Sequence, residues 1–80
     1  MAVETDWQDR IAIDPEIQGG KPVIKGTRVP VQVVVGGLAK GMTVAQVCDE
    51  YVLTDEDVRA ALSYATEVLA EETVNALPAR

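Results

Sequence analysis

Two groups of carboxylates have the spacing that acid–base chemistry or Mg²⁺ binding would need. Asp14 and Glu16 flank Pro15, and Asp55, Glu56 and Asp57 stand in a row. Each group also has an ordinary structural use. An Asp beside a proline turn satisfies local backbone donors, and acids in the first turn of a helix are favoured by its dipole. Gly20-Lys21 suggests a phosphate loop, but Pro22 stands where Ser or Thr is required and lacks the N–H a phosphate cradle would use. The 80 residues include no histidine and one cysteine. Zinc ligand sets, Ser-His-Asp triads and Cys-His nucleophiles therefore fail on inventory. Cys48 falls on an apolar helix face and reads as an inert core residue. The expectation is a protein that is not an enzyme, with no catalytic, cofactor-binding or metal-binding residues.

Positive charge is placed more tellingly. From Ile17 to Cys48 there is no Asp or Glu, and Lys21, Lys25 and Arg28 sit in that window among Gly19, Gly20, Pro22, Gly26 and Pro30. Residues 1–41 hold five cations and five acids; residues 42–80 hold two cations and eight acids, so the formal charge of −6 belongs to the second half. A rigid, turn-rich cationic ribbon suits presentation to a partner better than chemistry. The acidic half reads either as a solvated surface or as a docking face for a basic protein, because complementary potentials select partners. Strong non-specific nucleic-acid binding by a monomer is disfavoured, since phosphate neutralisation needs a cationic footprint.

A chain this short is one domain and buries only about 60% of the surface its unfolded form exposes. With no Phe, its aliphatic core gains little area per residue, so a homodimer or hetero-oligomer is expected. The single cysteine rules out an intramolecular disulfide and fits a reducing cytoplasm. No apolar run of about 18 residues exists to span a membrane. The acidic start, Met1 to Asp6, does not read as a secretory signal.

The pattern predicts a mostly α fold with a short N-terminal β-ribbon and a three-helix core that contains a helix-turn-helix. Residues 1–9 form a loosely ordered lead, with Trp7 docking on the domain. Residues 10–72 form the domain (10–29 ribbon, 30–72 helices), and residues 73–80 a tail. Arg10-Ile11-Ala12-Ile13 alternates and stops at Asp14-Pro15, and Pro22-Val23-Ile24-Lys25 stops at Gly26-Thr27. Pro30 suits the first turn of a helix, and Val31, Val34, Val35, Leu38 and Ala39 make its apolar face. Gly36-Gly37 is expected to admit another backbone, and Gly41 to terminate the helix. Thr43 and Gln46 have capping-box spacing ahead of a buried stripe of Val44, Val47, Cys48 and Tyr51. Thr54 caps a third helix whose inner face is Val58, Ala61, Leu62, Ala65, Val68 and Leu69.

The second and third helices, joined by a very short connection, have the apolar spacing of a helix-turn-helix, with Val52 where glycine is often found. The reading helix would present Thr54, Asp55, Glu56 and Asp57 to base edges, with only Arg59 positive. Those carboxylates repel phosphates. A second route to DNA is a dimer pairing two ribbons, with Lys21, Lys25 and Arg28 of each on one surface. The structural alternative pairs Arg28 with an acid of the third helix.

Ile13-Asp14-Pro15-Glu16-Ile17, Gly19-Gly20-Lys21-Pro22-Val23-Ile24 and Gly26-Thr27-Arg28-Val29-Pro30-Val31 resemble the signature of domain-of-unknown-function family 433. Gly41-Met42-Thr43, Tyr51, Leu53-Thr54 and the run from Asp57 to Ala65 fit its helical half. The resemblance covers about residues 10–66. It implies a small bacterial or archaeal protein with a helix-turn-helix, homeodomain-like helical core, similar to antitoxins of the VapB class, whose partner is a PIN-like ribonuclease toxin. It assigns no catalytic residue. On that footing the expected function is an antitoxin of a type II toxin–antitoxin pair that inhibits the ribonuclease and regulates its own operon. The alternatives are a DNA-binding transcriptional regulator and an interaction module without a toxin. Glu67, Leu69, Glu71, Glu72, Val74 and Leu77 would serve as toxin-binding acids and apolar anchors. Lys21, Lys25, Arg28, Thr54 and Arg59 would contact DNA or the partner.

Overall fold

The computed structural model describes residues 7–71. Two short antiparallel strands open it: β1 (Ile11–Ile13) and β2 (Pro22–Ile24), with Ile11 opposite Ile24 and Ile13 opposite Pro22. Three helices follow, α1 (Val31–Ala39), α2 (Val44–Tyr51) and α3 (Asp55–Glu71). The fold is mostly α with an N-terminal ribbon, as the pattern predicts.

Turn chemistry keeps the strands short. The Asp14 carboxylate accepts the Glu16 N–H at 2.9 Å, which ends β1 in a local side-chain turn. Gln18, Gly19 and Gly20 then all take positive φ (51°, 65° and 89°), a left-handed reversal that glycine supplies at little cost. Gln18 pins this reversal to the far side of the hairpin, its Nε2 donating to the Arg28 carbonyl at 3.1 Å. Beyond β2, the Thr27 hydroxyl donates to the Ile24 carbonyl and accepts from the Val29 N–H.

From Pro30 to Thr54 the helix ends have identifiable stops. Pro30 sits just before α1 in extended geometry rather than inside its first turn, and its carbonyl accepts the Val33 N–H. Gly41 (φ 105°) closes α1 in a Schellman arrangement: Met42 N–H donates to the Gly37 carbonyl and Gly41 N–H to that of Leu38. The predicted capping box at Thr43 and Gln46 forms in both directions, at 3.0 and 2.8 Å. A second reciprocal cap forms between Thr54 and Asp57, at 3.1 and 3.0 Å.

Ile11, Val23, Ile24, Val31, Val34, Val47, Leu53, Val58, Ala60 and Ala61 are buried, and α3 lies against α1, α2 and the start of the ribbon. Trp7 docks edge-on against Tyr64 of α3, with ring centroids 4.9 Å apart. The inner face of α3 is rotated from the predicted one, because the ribbon occupies one of its flanks. Ala60 is fully buried, while Leu62, Val68 and Leu69 are exposed. Val44 of α2 is likewise exposed, leaving Val47 as that helix's buried anchor.

Candidate functional site

The decisive electrostatic contact joins the ribbon to α3. Arg10, at the start of the ribbon, places Nη1 3.0 Å from Asp57 Oδ1 and Nη2 3.5 Å from Glu56 Oε1. Asp57 is mostly shielded from water and spends its other oxygen on the Thr54 N–H. Glu56 and Asp57 of α3 are thus partnered by Arg10 and not by Arg28. No local sequence signal announces this pair, since its members are 47 residues apart.

α2, a three-residue turn and α3 make the helix-turn-helix unit. The turn is held by an unexpected residue: Val52 adopts the left-handed region (φ 58°, ψ 57°), and its side chain is 87% exposed. The candidate reading residues are poorly placed to read anything. The Thr54 hydroxyl is used as the helix cap, and Asp55, Glu56 and Asp57 surround it. Arg59 lines a shallow groove of about 330 Å³ together with Val44, Asp55, Val58 and Leu62.

Cys48 is half-buried rather than a core residue, and its Sγ donates to Asp55 Oδ1 at 3.6 Å. Partial burial raises the thiol pKa, and the hydrogen bond to Asp55 and the charges of Asp55 and Asp57 raise it further. This environment opposes the thiolate that a nucleophile or metal ligand would need. No cluster of acids, cysteines or histidines suited to a metal ion occurs among the described residues.

Lys21, Lys25 and Arg28 are all exposed, and none of them makes an ion pair among the described residues. Lys21 and Lys25 bracket β2, about 13 Å apart in extended chain. Glu67, Leu69 and Glu71 lie on the last turns of α3 and are exposed, Leu69 at 63%. The other three residues proposed with them, Glu72, Val74 and Leu77, lie outside the described residues. Glu67 stands 11 residues beyond Glu56, about 17 Å along the helix, past the screening length of about 8–10 Å in physiological salt. The acids of the last turns of α3 are therefore screened from the carboxylates that Arg10 holds.

The family model described as "Protein of unknown function (DUF433)" matches residues 11–65, which hold the hairpin, the helix-turn-helix unit and most of α3. This chain belongs to the DUF433 family. A relative in Sinorhizobium fredii, the uncharacterized protein y4eO, is 39% identical over 56 residues, covering 69% of this chain and 25% of its own length. The crystal structure of Rv2018 from Mycobacterium tuberculosis superposes with a TM-score of 0.60 at 38% identity, over 65% of this chain and 24% of that one. The DUF433 unit thus spans about a quarter of each of these two relatives.

Proposed function

We propose that this chain is a non-catalytic binding protein of the cytoplasm, the antitoxin of a type II toxin–antitoxin pair, which covers a PIN-like ribonuclease. The observation that carries this reading is the end of α3. There the helix continues past its last core contacts and displays Leu69 between Glu67 and Glu71. An apolar anchor flanked by carboxylates complements the cationic path along which a ribonuclease holds its substrate. Asp57 spends both oxygens on Arg10 and the Thr54 N–H, a structural use that fits a role without turnover.

The test is inhibition of the ribonuclease encoded beside this chain, by the full protein and by a version ending at Thr66. Loss of inhibition and of co-purification in the shortened protein is expected. Unchanged inhibition would remove α3's end from the interface, and failure of the full protein to bind would reject the antitoxin reading. A second reading, a DNA-binding regulator acting as a dimer or with its toxin, is favoured by the exposed cations Lys21, Lys25 and Arg28 of the hairpin. Its test is a gel shift on the DNA preceding its own gene.

A further inference from the structure

We infer that the hairpin carrying Lys21, Lys25 and Arg28, and not the helix-turn-helix, is the surface this protein lays on duplex DNA. The inference rests on the regulator reading and assigns the residues that make the contact. In a helix-turn-helix protein the N-terminal turn of the second helix enters the major groove. Here that turn carries Asp55, Glu56 and Asp57, and Arg59 is the one cation on α3 among the described residues. From Thr43 to Glu71 there are seven acids against that single arginine. Docking α3 would bring carboxylates to phosphates, and no released counterions would offset the repulsion.

The hairpin has the opposite character. Between Arg10 and Pro30 there are four cations and two acids. One acid, Asp14, has an oxygen engaged by its own turn, and the other, Glu16, is exposed. Arg10 spends its charge on Glu56 and Asp57, while Lys25 and Arg28 are exposed and make no ion pair among the described residues. Lys21 and Lys25 flank β2, at a separation of about 13 Å that reaches two phosphates of one strand. Thr27 and Gln18 fix the backbone around Arg28 through hydrogen bonds to Ile24, Val29 and the Arg28 carbonyl, so the cations are held on a tied scaffold. Apart from Ile13 and Pro15, the exposed side chains of this hairpin are polar or charged. That composition fits a polyanion backbone better than an acidic protein, which would need a cluster of apolar anchors.

The test is fluorescence anisotropy with a labelled duplex carrying the sequence before its own gene, titrated between about 50 and 200 mM salt. The proteins are the unmodified chain and Lys21→Gln, Lys25→Gln, Arg28→Gln and Arg59→Gln, each checked by thermal unfolding. Three phosphate contacts per chain predict a log–log salt slope near −2.7, and each hairpin substitution should make it shallower by about one. Arg28→Lys should restore the slope, and Arg59→Gln should leave it unchanged. Binding that persists with an unaltered slope in the hairpin variants, or that collapses with Arg59→Gln, overturns the hairpin assignment while keeping the regulator reading. Absence of binding by the unmodified chain, alone and with its ribonuclease, overturns both. Release of an acidic protein by the hairpin substitutions, with DNA binding untouched, would assign the same cations to that partner and overturn the inference.

Discussion

Val52 is held where β-branched side chains rarely go. The left-handed region costs a non-glycine residue about 1–2 kcal/mol, whereas glycine reaches it freely but loses about 0.5–1 kcal/mol of unfolded-state freedom. Because the Val52 side chain is 87% exposed and packs little, Val52→Gly should stabilise the domain by about 1 kcal/mol. A higher urea midpoint at unchanged m-value would show it. Cys48 offers a second check at this scale. Its raised pKa means that the unfolded thiol ionises first, so its contribution is complete below the ordinary thiol range and is lost as pH climbs through it. Alkylation of the folded protein should be slower than of a free cysteine at mildly alkaline pH. Asp55→Asn should accelerate it, and an unchanged rate would dissociate the thiol from that carboxylate.

Among the elements, α1 shows how two adjacent glycines can have different reasons to exist. A Cβ on Gly36 would meet nothing within 4 Å, whereas one on Gly37 would lie 3.1 Å from Met42 Sδ and 3.6 Å from Val47 Cγ2. Gly37 is therefore where the loop after α1 and the core of α2 approach the helix backbone. Gly36→Ala should add about 1 kcal/mol of stability through helix propensity alone. Gly37→Ala should gain much less, because the methionine must shift, and Gly37→Val should lose about 1–3 kcal/mol to overpacking. Thermal midpoints order the three variants, at about 4–8 °C per kcal/mol for a domain of this size. The pair Gly36-Gly37 was legible as a close-approach signal, but which glycine serves it depends on where Met42 and Val47 pack.

For the molecule as a whole, Arg10 adds an ion pair to the hydrophobic core that joins ribbon and helices. Its link to Asp57 is partly shielded, so Arg10→Gln should cost about 1 kcal/mol, more than an exposed surface pair contributes. A double-mutant cycle with Asp57→Asn should return a coupling of at least about 0.5 kcal/mol. Additive effects would show that hydrophobic packing alone joins the two parts.

Local chemistry was readable without any fold: the Asp14 and Gly19-Gly20 turns, the caps at Thr43 and Thr54, the Gly41 stop and the acid-free cationic stretch. Each depends on residues at most a few positions apart, whose hydrogen bonds or backbone preferences are complete within one turn. The folded arrangement alone decided the rest. It selected Arg10 over Arg28 as the partner of the α3 acids and turned α3 so that Ala60 is buried and Leu62 exposed. Helical periodicity marks an apolar face but not which neighbour will cover each edge of it, and pairing across 47 residues is set by packing, which no local window contains.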